Sequence, residues 1–168
     1  MSDHSEGHIL RQHCPGRTFI ETGTCFGRTV EYVLKLGATE VRSVEGHEER
    51  YRYCVEKFAN DPRVNLWCGH SKDCLQAMIA DLEEQLVFFL DAHPSGPDSY
   101  GDDRIGKEQE EDKIFGQHFV IIEELKIIAE HPIKNHTIII DDQHEQAETI
   151  HQIYKNLLLE INPHYSFE

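Results

Sequence analysis

Five short apolar runs, each followed by a stretch with apolar residues at helical spacing, constrain this chain more than anything else in it. The runs fall at residues 18–21, 41–44, 64–68, 86–90 and 137–140. Parallel neighbours in a sheet need a helix between them, so this alternation predicts an α/β fold with a doubly wound, mostly parallel sheet. The fourth run, Leu-Val-Phe-Phe-Leu, is apolar at every position, the mark of a central strand covered on both faces. Its carboxyl end, Asp91-Ala92-His93, therefore opens into the crevice where such sheets bind ligands.

The segment from Thr18 to Gly27, Thr-Phe-Ile-Glu-Thr-Gly-Thr-Cys-Phe-Gly, reads as a strand, a tight turn and the start of a helix carrying Val30, Val33 and Leu34. Gly23, Thr24 and Gly27 shape the turn, and the helix after it offers free N–H groups to a ligand. A dinucleotide fingerprint needs three glycines, whereas two are present here, and Glu21 stands beside them. An acid at that mouth is expected to repel phosphate and attract an ammonium. The plainer reading is an ordinary strand-to-helix turn.

Glu45 ends the second strand run, some 20 residues after the turn. It is placed either to bind both hydroxyls of a ribose or to favour the dipole of the following helix. The third run leads into Gly69-His70-Ser71, where Ser71 is expected to cap the next helix or to contact a base. Asp91, Asp141 and Asp142 bring three carboxylates toward one point if the fourth and fifth strands lie side by side. Like charges so close require a cation or protons, and oxygen-only ligands suit Mg²⁺. The alternatives are a capping box formed by Asp142 with Glu145, and a turn-forming role for Asp91 before Pro94.

At 168 residues the chain is expected to be one domain over 18–168, preceded by a polar, histidine-rich leader or lid at 1–17. Sixteen basic against thirty-one acidic residues give a formal net charge of −15, which opposes binding to nucleic acid or to an anionic membrane. No secretory leader and no membrane-spanning run are expected. Five cysteines without a Cys-x-x-Cys pair point to reduced thiols and a cytoplasmic setting. Residues 94–113 read as an active-site lid or a disordered insertion. Residues 165–167 read as the opening of a sixth strand, whose unprotected edge would favour a homodimer.

Glu-x-Gly-x-x-x-Gly from Glu21, the acid Glu45, the Gly-x-Ser turn, Leu-Asp-x-His and Ile-Ile-Asp-Asp occur in this order over residues 18–143. Together they resemble the class I S-adenosylmethionine (SAM) dependent methyltransferases, and within them the metal-dependent O-methyltransferases of the catechol and macrolide-sugar type. The resemblance implies SAM held by Glu21, Gly23, Thr24, Gly27, Glu45, His70, Ser71 and Asp91. It implies Mg²⁺ on Asp91, Asp141 and Asp142, and a small hydroxylated substrate such as a sugar or a phenol. His93 is the expected base, with His144 as the alternative base or a metal ligand. Two features depart from the family: His70 stands where an acid usually holds the adenine amino group, and a seventh strand is missing. A catalytically inactive binding module is therefore an alternative. So is a metal-dependent hydrolase or oxygenase using Asp91, His93, Asp141 and His144.

Overall fold

The computed structural model describes residues 5–92, 110–141 and 148–167. Five strands, β1 (Thr18–Thr22), β2 (Glu40–Glu45), β3 (Val64–Cys68), β4 (Val87–Leu90) and β5 (Thr137–Ile140), form one sheet in the order β3-β2-β1-β4-β5. Every adjacent pair is parallel. Among the described residues six helices accompany them: α1 (Ser5–His13), α2 (Arg28–Leu36), α3 (Glu48–Phe58), α4 (Ser71–Ile79), α5 (Glu110–Glu130) and α6 (Glu148–Ile161). The α/β, doubly wound reading of the sequence is the observed architecture.

Strand alternation divides the core into two layers. Ile20, Val44, Phe88 and Leu90 point to one face, where they pack with Leu75 and Met78 of α4, Ile121, Leu125 and Ile128 of α5, and Tyr154 and Leu158 of α6. Phe19, Val41, Val87 and Phe89 point to the other, against Leu10 of α1 and Val30 and Val33 of α2. All four residues of β4 are buried, as its unbroken apolar run requires. Full burial of each such side chain contributes roughly 1.5–3 kcal/mol, so this strand is a principal source of stability. The edge strands β3 and β5 are only partly covered, although β5 carries three isoleucines in succession.

A buried polar relay closes the end of the sheet opposite the ligand crevice. The Leu86 N–H donates to His136 Nδ1 at 3.1 Å, His136 Nε2 meets His131 Nδ1 at 3.0 Å, and His131 Nε2 meets the Leu82 carbonyl at 2.8 Å. Two neutral imidazoles satisfy this chain, each donating from Nε2 and accepting at Nδ1.

Three expectations about boundaries change. The amino-terminal segment is not an unattached leader, because residues Ser5–His13 form α1 and Leu10 and Cys14 are fully buried. The polar composition concealed one apolar contact stripe. The insertion expected at 94–113 overlaps the first turn of α5 from Glu110, while residues 94–109 lie outside the described residues. Residues 165–167 are not a strand: the Tyr165 N–H donates to the Asn162 carbonyl, and its phenol to the Lys134 carbonyl at 2.9 Å. Among the described residues no helix is long and apolar enough to cross a membrane.

Candidate functional site

The strand order reverses direction between β1 and β4, and in a doubly wound sheet the crevice above that reversal is the ligand site. Glu21 and Thr22 close β1, Glu45 closes β2, and Asp91 and Asp141 directly follow β4 and β5. Parallel register sets Leu90 beside Ile140, and the Asp141 N–H donates to the Leu90 carbonyl at 3.1 Å. The acids separated by up to 120 positions in sequence thus share one rim of the sheet.

The glycine turn is built by packing within the protein. Gly23 has φ +92°, and a Cβ there would lie 2.5 Å from the Asp91 carbonyl oxygen. Its missing side chain lets the turn press against the Asp91–Ala92 backbone that follows β4. Gly27 has φ +68°, and a Cβ there would lie 2.5 Å from the Phe58 ring of α3. At both glycines chain approaches chain too closely for a side chain. Past Gly27, α2 begins with no side chain capping it. A helix start leaves its first N–H groups without partners inside the helix.

Glu45 holds the turn in place. One carboxylate oxygen accepts from the Cys25 N–H at 2.6 Å and the other from the His47 N–H at 2.8 Å. Cys25 sits at φ +51°, a left-handed conformation that costs a non-glycine residue about 1 kcal/mol, and the bond to Glu45 stabilises it. His47 is the cap residue of α3, so the helix-approach reading of Glu45 describes its observed contact. Each oxygen keeps a second lone pair for a ligand hydroxyl.

Glu21 departs from expectation. Its alternation within β1 turns the side chain inward beneath the turn, where it is 1 % exposed. The Ser43 hydroxyl, in register on β2, donates to it at 2.5 Å and meets the Thr24 hydroxyl at 2.6 Å. Burial, with the Asp91 and Glu45 carboxylates adding to it, pushes the carboxyl up to about 8. Burial thus disfavours the charged form of Glu21 beneath the turn.

Around the β3–α4 turn the roles of two residues exchange. His70 occupies the cap position of α4 without capping it through its side chain, and Ser71 is the first helical residue. Ser71 is buried, and its hydroxyl faces Glu124 of α5. The acid Glu124 was not singled out from the sequence. It has no exposed surface, and among the described residues neither carboxyl oxygen has a hydrogen-bond partner in good geometry. The Thr22 and Ser71 hydroxyls stand close enough to ease its ionisation, but burial dominates and raises the carboxyl to about 7. The available signal was its position: Glu124 lies three residues after Ile121 and four before Ile128, on the face that packs into the core.

Glu21, Gly23, Thr24, Gly27, Glu45, His70, Ser71, Asp91 and Asp141 thus all lie along the carboxyl rim or in the turns that follow it. His93, Asp142 and His144 lie outside the described residues. Among the described residues no group of three or more His, Cys, Asp or Glu side chains stands together as a metal site. Without Asp142, Asp91 and Asp141 do not make a three-carboxylate set.

No family model and no curated protein matches the chain. Among solved structures, it is similar to Pen from Bacillus thuringiensis with a TM-score of 0.56 at 13 % identity, over 76 % of this chain and 37 % of that one. The 23S rRNA methyltransferase ErmE gives 0.48 at 15 % identity, over 81 % of this chain and 43 % of that one. A putative RNA methyltransferase from Pyrococcus horikoshii gives 0.45 at 15 %, over 73 % and 53 %. The chain spans about a third to a half of the length of these proteins. At such identities the likeness to Pen concerns architecture, and the two lower scores carry no argument. What the chain has in common with Pen is its fold.

Proposed function

We propose that this chain binds SAM at the rim above β1 and β4 and transfers its methyl group to a small hydroxylated acceptor. The observation that carries the reading is the joint placement of Glu45, the uncapped start of α2 and two buried acids of raised proton affinity around one crevice. Such a set suits a ligand that brings ribose hydroxyls, a carboxylate and amino groups together. The residues fit SAM on those grounds. Glu45 would take the ribose through its remaining lone pairs, and the N–H groups opening α2 would take a ligand carboxylate. Glu21 would ionise as it accepts an ammonium, because a positive charge nearby reverses the effect of burial.

When bound, SAM supplies an electrophilic methyl carbon on a sulfonium centre. The work left to the chain is to hold an acceptor oxygen in line with that carbon, exclude water and receive the acceptor's proton. Positioning of this kind reaches effective molarities of about 10⁵ to 10⁸ M, so little covalent help is needed. His93 and His144 are the proposed proton acceptors. Asp91 borders the crevice and adds to the negative potential that holds a cationic ligand. The described donors do not fit Mg²⁺ by themselves. The formal charge of −15 favours a small acceptor over a nucleic acid.

Titration calorimetry of the full chain with SAM and with S-adenosylhomocysteine tests the reading. Saturable binding of both, lost in Glu45→Ala, is the expected result. Heat from neither ligand would remove it.

A further inference from the structure

The histidine relay, at the end of the sheet remote from the crevice, runs its protons in a single direction. His136 Nδ1 accepts from the Leu86 N–H, and His131 Nδ1 accepts from His136 Nε2 at 3.0 Å and from the Ile133 N–H at 3.2 Å. Each Nε2 already carries the hydrogen it donates, so a proton added to either ring must enter at Nδ1, where an N–H already points. Donor then meets donor, and a charged ring does not fit the relay as it stands. The rings are 3 % and 4 % exposed with centroids 4.8 Å apart, so a charge placed there is poorly solvated.

The titratable groups around the pair come from each element packed on it. Lys134, in the α5–β5 turn, and the partner ring both oppose a positive charge on His136. The Tyr165 phenol, from the segment after α6, stands against the His136 backbone and is pushed by burial up to about 12, so it stays neutral. His13 of α1 meets the Thr137 hydroxyl at 3.3 Å. Glu83 and Glu84, in the connection before β4, are exposed, and Glu84 accepts from the Thr18 hydroxyl.

What the relay fastens is the approach to an outermost strand. The Thr137 N–H donates to the Leu86 carbonyl at 3.0 Å, the Gln85 amide to the Asn135 carbonyl, and the Asn162 amide and Tyr165 phenol to the Lys134 carbonyl. β5 ends the sheet, whereas β1 is held between β2 and β4. Segments at such edges open at lower free energy than the centre of a sheet. We propose that the relay is an acid-sensitive latch: protonation of the His131–His136 pair unfastens the start of β5, with the C-terminal segment docked on Lys134, while β1 and β2 stay paired. The inference is independent of the SAM reading.

Amide hydrogen exchange of the full-length chain, followed by NMR at pH 7 and pH 5 and expressed relative to the intrinsic rate at each pH, tests it. His136 is held at about 4 against 6.5 when exposed, so the protection of the Leu86 and Thr137 N–H groups is expected to fall about 20-fold. Exposing the Val41 and Gly23 N–H groups requires unfolding that also exposes Glu21 and Glu124, acids that hold their protons more tightly in the fold. Their protection should therefore hold or rise, opposite in sign to that of Leu86. In His136→Gln the fall at Leu86 should vanish. Leu86 and Val41 changing in parallel, Leu86 protection unchanged between the two pH values, or a native-sized fall in folded His136→Gln would each overturn the latch. If His136→Gln does not fold, imidazole ¹⁵N shifts of the native chain decide: both rings as Nε2–H tautomers that charge only as Leu86 protection is lost support it, and a charged His136 beneath a protected Leu86 overturns it.

Discussion

Glu21→Gln is expected to make the free protein more stable, and more so at high pH. The native carboxyl is 1 % exposed and its proton affinity is raised from 4.5 to about 8. An acid whose folded pKa lies above its unfolded value contributes stability that is complete below 4.5 and is lost as pH rises through 8. At about 1.4 kcal/mol per decade of proton affinity, the loss between pH 5.5 and pH 8 comes to about 3 kcal/mol. Glutamine keeps the shape, can still accept from the Ser43 hydroxyl, and has no charge to remove. The raised affinity of Glu124 and the lowered one of His136 act alike in both proteins, so the difference between the two pH profiles isolates Glu21. Urea unfolding at pH 5.5, 6.5, 7.25 and 8 measures it. With a slope of about 2 kcal/mol per molar, the gap between the two midpoints should widen by about 1.5 M across the range. A constant gap would mean that Glu21 ionises at its ordinary pH within the fold, and would refute the account of a neutral acid beneath the turn.

Gly23→Ala sets a Cβ 2.5 Å from the Asp91 carbonyl at φ +92°, and should cost more than about 2 kcal/mol in urea unfolding, with the exit of β4 displaced. Glu45→Gln should cost about 1–2 kcal/mol by weakening the charge-assisted bonds from the Cys25 and His47 N–H groups, and Cys25→Gly in that background should recover part of it. His136 is held at about 4 by burial and by neighbouring His131, against 6.5 when exposed. The unfolded chain therefore takes a proton that the folded chain refuses, and stability falls as pH drops below 6.5, by about 1 to 2 kcal/mol at pH 5. Guanidinium unfolding of His136→Gln should show that dependence flattened. Phe88→Ala, removing a ring with no exposed surface from β4, should cost about 3–5 kcal/mol.

The strands were legible because each is a local pattern. The run at 86–90 is apolar at every position, and the structure buries β4 on both faces. Run 137–140 shows the limit of that inference. Three of its four residues are isoleucine, yet it lies at the edge, because burial depends on which strands stand alongside and not on composition alone. Helix α1 was hidden for the converse reason: a largely polar segment docks through Leu10, and one buried side chain leaves little periodic signal.

The candidate site divides along the same line. That Glu45, Asp91 and Asp141 stand at strand ends followed from the sequence alone, since a strand's carboxyl end is marked by the change from apolar to polar residues. That Glu21 is buried beneath the turn, that Gly23 and Gly27 lie hard against backbone and ring, and that Glu124 is buried beside the same strand ends were decided by the tertiary structure. The physical reason is range. Hydrophobic alternation and turn chemistry act over a few neighbouring residues, whereas desolvation, close approach and the coupling of carboxyls depend on groups that only the folded chain brings together.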